Sequence, residues 1–240
     1  MAGIKYHSVT VKPTITASLQ HGGVFTSGDV VFDWTEIQVP RGASKLVSLT
    51  AKCRDYTAGK MTDWAGVFYF SNSNSVSLGT INSAVSQNAS LANSFLGLQS
   101  FTANDWDENT AFSIDYFSSL HKTPNIVMTP NSGDSIYIGC ESMQSNEPAL
   151  NHTTVRATAT NAGAAGTQAQ LEIDGGVDIQ NVFAPEDVLV AHGDVVIGTV
   201  ETVSSSTVFN LKGTNTGIIA DDDYIYMQSP ITLILGFEYV

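Results

Sequence analysis

Short runs of β-branched and aromatic residues, each closed off by Gly, Pro, Asn, Asp or Ser, recur along the whole chain and predict strands. In the first part these runs are Ser8–Thr16, Asp29–Trp34, Lys45–Arg54, Ala65–Ser71, Ile126–Met128, Ser135–Cys140, Thr153–Thr158 and Gln170–Ile173. Apolar and polar positions alternate only loosely within Lys45–Cys53, which predicts a strand buried on both faces at its start. Helical periodicity is scarce. Its best instance, Val85–Gly97, is interrupted by Ser, Asn and Gly and reads equally as a long loop with a helical turn.

Towards the C-terminus the spacing tightens. Asp187–Val190, Asp194–Val203, Thr207–Leu211, Asp223–Met227 and Ile231–Leu235 predict five short strands within about 55 residues, with Gly198 marking a bulge or bend. That density suggests a small barrel of the SH3 or OB kind. Its expected core is Val188, Val190, Val195, Ile197, Val200, Val203, Val208, Leu211, Ile225 and Ile231. The earlier strands, about eight over roughly 170 residues with long connections, suggest a β-sandwich or jelly roll. The reading is therefore all-β, with a jelly-roll-like sandwich over residues 1–176 and a small acidic barrel over 177–240. The Ala/Gly-rich stretch 157–173 is either a linker or a close-packed strand and turn.

Charge sharpens this division. The chain has 240 residues and a formal net charge of −13, with charged residues making up 14%. Residues 1–156 hold nine Lys and Arg against twelve Asp and Glu, whereas residues 157–240 hold Lys212 alone against eleven acids. Such an acidic chain, with its basic residues scattered singly, is not expected to bind nucleic acid. No apolar run approaches the roughly 18 residues of a membrane helix, and the first residues do not resemble a signal peptide. The expectation is a soluble protein made in a cytosol, with no membrane partner.

Catalytic motifs are missing. There is no Gly-x-Ser-x-Gly elbow, phosphate-cradling Gly-rich loop or His-Glu-x-x-His, and the five histidines lie far apart. Cys53 and Cys140 sit in strand-like runs and read as buried thiols, although a bond between them cannot be judged from spacing. Asp105–Glu108 and Asp221–Asp223 could each hold a hard cation, but acidic turn residues are the plainer reading. Asp105, Asp107 and Asp115 are the one set of carboxylates that could serve sugar hydrolysis. Asn88-Ala-Ser90 and Asn151-His-Thr153 match the glycosylation sequon, read as chance. A non-enzymatic protein without cofactor or metal is expected.

The long connections 55–63, 72–95 and 102–125 carry or adjoin Trp64, Phe101, Trp106, Phe112, Tyr116 and Phe117. Aromatic residues beside weakly charged loops fit an oligomer or partner interface, and fit equally a cap on the sandwich core.

The stretch Val24-Phe-Thr-Ser-Gly-Asp-Val-Val-Phe-Asp-Trp-Thr-Glu-Ile-Gln-Val-Pro-Arg-Gly-Ala-Ser-Lys-Leu46 resembles the opening of virion structural proteins of marine tailed phages, cyanophages in particular. Phe183-Ala-Pro-Glu-Asp-Val-Leu-Val, Gly193-Asp-Val-Val-Ile-Gly-Thr-Val and Ala220-Asp-Asp-Asp-Tyr-Ile-Tyr together resemble a small module common in the same proteins. The two stretches cover about a third of the chain. This resemblance implies a particle component and no catalytic residue. The expectation is a capsid decoration (cement) protein on the virion surface. Its partners would be the major capsid protein and copies of itself, as a homotrimer at a three-fold position. The competing expectation is a tail or fibre component that stacks a host surface glycan on its aromatics.

Overall fold

Strand alternation builds two facing sheets. In the strand Ile231–Tyr239 every odd position from Ile231 to Phe237 is buried. In the strand Gly66–Ser71, Phe68 and Phe70 are fully buried. A period of two puts such residues on one face, and burying that face requires a partner layer. The computed structural model describes residues 3–15, 25–54, 64–86, 88–108, 117–131, 133–143, 163–174, 179–191 and 193–239, with the backbone alone for Glu108 and Phe117. The expected strand Thr153–Thr158 and the loop 55–63 lie outside these residues.

The protein is all-β. Its strands are β1 (Lys5–Val11), β2 (Val30–Gln38), β3 (Ser44–Arg54), β4 (Gly66–Ser71), β5 (Phe95–Phe101), β6 (Trp106–Glu108), β7 (Phe117–Lys122) and β8 (Ile126–Met128). They continue as β9 (Ser135–Ser142), β10 (Gln170–Glu172), β11 (Val188–Ala191), β12 (Val195–Ser205), β13 (Val208–Leu211), β14 (Ile225–Met227) and β15 (Ile231–Tyr239). One sheet runs β1-β15-β3-β7-β6, with β8 also on β3, and the facing sheet runs β2-β9-β4-β5. The antiparallel pairs β1–β15, β2–β9, β3–β7 and β4–β5 are nested, so the chain folds back on itself like a rolled hairpin. That nesting is the jelly roll. Leu46, Leu49, Leu120, Leu233 and Phe237 of one sheet meet Phe32, Ile37, Phe68, Phe70 and Ile138 of the other in one core.

The loose alternation in β3 has a local cause. Gly236 stands opposite Ser48 and Phe237 opposite Leu46, so Val47 is an extra residue. This bulge lets Leu46 and Leu49 both face inward although three positions separate them. The strand is not buried on both faces, because Lys45 and Val47 remain partly exposed.

The remaining strands form a third sheet, β10-β13-β12-β11-β14. It is open, and the expected SH3/OB-like barrel does not form among the described residues. The fifth predicted barrel strand belongs elsewhere. After β14 the chain crosses Gln228–Pro230 and enters the jelly roll as β15, between β1 and β3. The boundary drawn at 176/177 therefore fails at its C-terminal end: the third sheet is inserted between β9 and β15. Nine alternating residues with four fully buried apolar side chains are more than the small sheet could cover, and the jelly roll needs them. Ile231 accordingly lies in the sandwich core. Strand phase also differs from expectation, with Leu189 and Ala191 in the small core and Val195 exposed at 42%. The anticipated irregularity at Gly198 is a bulge at its neighbour Ile197.

Part of the Ala/Gly-rich stretch is ordered against Asn215, which is 1% exposed. The Asn215 carbonyl oxygen accepts from the N–H groups of Thr167 and Gln168 at 3.0 and 2.9 Å. Its amide donates to Ala164 O and Gly217 O at 3.1 and 2.9 Å. A buried amide with all four valences met holds a segment that has too few side chains to pack.

Candidate functional site

Three of the six aromatics expected at an interface are inside the jelly roll. Trp64, Phe101 and Trp106 are 4%, 2% and 6% exposed. Trp64 stacks on Trp106 with centroids 5.6 Å apart, and Phe101 meets both edge-on at 4.9 and 5.8 Å. Trp106 Nε1 donates to Trp64 O at 2.8 Å. Gly66 makes room for this cluster, since a Cβ there would lie 2.6 Å from the Phe101 ring. These residues cap the core, and the interface assignment for them is corrected. An aromatic beside a predicted loop looks the same in sequence whether it turns inward or outward. Phe112, Tyr116 and the Phe117 side chain lie outside the described residues.

One surface that presents aromatics is the outer face of β2-β9-β4-β5. Tyr69 stands between Leu98 and Gly139 in the strand register, all on that face. A Cβ at Gly139 would lie 2.7 Å from the Leu78 side chain and 3.3 Å from the Trp34 ring, so glycine lets both pack onto the strand. Across this floor run residues 72–86 and 88–94. Leu78 N–H and the Ser77 hydroxyl donate to the Asp33 carboxylate at 2.8 and 2.6 Å. Trp34 Nε1 donates to Val76 O at 2.8 Å. A short helix, Ala89–Ser94, is capped by the Asn88 side chain accepting from Ser90 N–H at 2.9 Å, which gives that sequon residue a structural task.

Between helix, segment and floor lies a groove of about 600 Å³ lined chiefly by Trp34, Tyr69, Leu78, Leu91, Phe95 and Leu98. Phe95 and Leu98 are 40% and 50% exposed. Tyr69 and Phe95 rings lie 6.0 Å apart. The Tyr69 hydroxyl donates to Glu141 Oε2. Burial, then the bond to Glu141, pushes the Tyr69 phenol well above its ordinary range, so it stays a donor. Sequence reasoning missed this groove, because Phe95, Leu91 and Asn88 fall within the candidate helix Val85–Gly97.

The acidic candidates have ordinary surroundings. Asp105 closes a single 3-10 turn, Ala103–Asp105, accepting from Thr102 N–H at 2.6 Å and pairing with Lys122 at 2.6 Å. The Lys122 bond, followed by the Thr102 N–H, holds its carboxyl below the usual range. A lowered folded value means stability present above the unfolded carboxylate pKa of about 3.9 and lost as pH falls through the folded value. Asp105→Asn is therefore expected to cost about 0.5 kcal/mol or less at neutral pH, with the difference vanishing in acid and in high salt. Thermal melts of both proteins from neutral pH down to pH 3 check this. Asp221–Asp223 are turn residues, with Asp223 accepting from Ala220 N–H at 2.8 Å. Among the described residues no three His, Cys, Asp or Glu side chains gather as a metal site. Asp115 lies outside the described residues. Cys53 and Cys140 are buried and unbonded to each other, and burial raises the Cys140 thiol's pKa.

Neither a protein-family model nor a curated protein matches this chain. Among solved structures, the infectious bursal disease virus VP2 subviral particle aligns over 99% of this chain at 6% identity and TM-score 0.16. The chain spans 42% of that protein's length, and a likeness of this size carries no argument about fold or function.

Proposed function

We propose that this protein is a phage virion structural component, a decoration protein that binds the major capsid protein and copies of itself on the head. The observation that carries this reading is the jelly roll with an acidic sheet inserted between its last two strands. Jelly rolls serve repeatedly in viral shells, where two packed sheets give a rigid block with few open edges. The fold also hosts other functions, so the residues have to add to it. The two stretches that resemble phage virion proteins fall in separate parts of the fold. The first, Val24–Leu46, spans β2 and enters β3, and the pieces of the second, Phe183–Val190, Gly193–Val200 and Ala220–Tyr226, lie in the inserted sheet. The inserted sheet holds most of the chain's excess acid, which would keep a crowded particle surface soluble. A three-fold lattice position favours a trimer.

Quantifying the protein against the major capsid protein in purified, separated heads and tails tests the proposal. A simple integer ratio in heads, with loss of heat resistance when the protein is stripped, is the expected result. A few copies confined to tails would overturn it.

A further inference from the structure

The groove over β2-β9-β4-β5 is built from fixed parts, yet its apolar wall is open. Its polar handles are already engaged. The Trp34 N–H is held by Val76 O, the Tyr69 hydroxyl by Glu141 and the Asn88 carbonyl by Ser90 N–H. A sugar would find aromatic faces there but few free hydrogen-bonding groups to orient its hydroxyls. Large apolar side chains would find a floor of two aromatic rings and walls of Leu78, Leu91, Phe95 and Leu98.

Charge selects among apolar occupants. Residues 64–101 contain no Asp, Glu, Lys, Arg or His. The charges of the strands beneath are Asp33 and Glu36 on β2 and Glu141 on β9, and β2, β9, β4 and β5 carry no Lys or Arg. Among the described residues the ion pairs are Arg54–Asp187, Lys122–Asp105 and Lys212–Glu186, so these three carboxylates meet no cation. Glu141 sits at the Tyr69 end of the groove. A cation placed there would face a carboxylate.

We propose that this groove docks a segment of a partner protein that presents two or more large apolar side chains beside a Lys or Arg. The assignment goes beyond the virion reading and does not depend on it.

The test uses the full chain and a displayed random heptapeptide library, panned on the wild type and counter-panned on Leu98→Asp. Leu98 is half exposed, so the variant is expected to keep the wild-type melting midpoint. Retained peptides should combine Leu, Ile, Phe or Trp with Lys or Arg and should lack Asp and Glu. A Trp-free retained peptide should shift the emission of Trp34, the one partly exposed tryptophan. Exchanging its basic residue for Glu should weaken it about tenfold. Glu141→Gln keeps the acceptor for Tyr69 and should abolish that preference while apolar binding persists. Each of the following overturns the proposal: no peptide distinguishing wild type from variant, retained peptides without a basic residue, or equal affinity for the Lys/Arg and Glu forms. A simple glucoside shifting Trp34 where peptides do not would overturn it in favour of a glycan. Self-association that Leu98→Asp abolishes would overturn it in favour of a second copy.

Discussion

Trp106→Ala is expected to lower the stability of the folded chain by about 3–5 kcal/mol, the range for truncating a buried Trp or Phe. The side chain is 6% exposed and touches Trp64 and Phe101 through stacked and edge-on contacts. Those contacts are worth more than their area alone, and the lost Nε1 bond leaves Trp64 O without its donor. Phe101 also stacks on Phe68 at 4.8 Å, so the cavity opens toward the centre of the core and cannot easily collapse. Chemical denaturation of the isolated protein measures the effect. A loss below about 1 kcal/mol, together with weakened assembly, would return Trp106 to the interface role expected of it from the sequence.

Asp187→Ala is expected to cost about 3 kcal/mol, at the lower end of the range for breaking a buried ion pair. Asp187 is 3% exposed at its side chain and Arg54 22%, so the stranded guanidinium recovers some hydration. Arg54 Nη2 and Nη1 donate to the two Asp187 oxygens at 2.6 and 2.8 Å, a forked pair with directional strength. Asp187 also accepts from Ala184 N–H at 2.8 Å, which orients the turn leading into β11. The pair joins the end of β3 in the jelly roll to the inserted sheet. Thermal unfolding of Asp187→Ala should therefore broaden or split as the inserted sheet loosens first. Replacing both partners, Arg54→Met with Asp187→Leu, should be less damaging than Asp187→Ala alone, since it leaves no charge without a partner. A double variant as unstable as the sum of the single ones would show that the two residues act independently.

Much of this protein was legible in its residues. Runs such as Ala65–Ser71 and Ser135–Cys140 alternate strongly and are bounded by turn formers, so all-β class and sandwich architecture follow from local pattern. The hidden strands were the weakly patterned ones. Phe95–Phe101 follows Ser- and Asn-rich sequence with a helical turn, and Phe117–Lys122 is half Ser and Lys around one buried Leu120. Pairing with β4 and β3 makes them strands, and that information lies in the partners rather than in the segments. The groove was hidden for the same reason, since it exists where β5, the helix Ala89–Ser94 and Trp34 converge from distant positions.

By itself the sequence determined the strongly alternating strands, the acidic imbalance of the last third and the apolar stock of two cores. These are local or summed properties, set by side-chain chemistry before any contact forms. Tertiary structure decided which sheet each strand joined, which way each aromatic faced and where the inserted sheet began and ended. Ile231–Tyr239 shows the reason: its alternation requires a sheet but cannot say which, and it is β3, pairing all nine residues, and β1, pairing the seven from Leu233 to Tyr239, that draw it into the jelly roll.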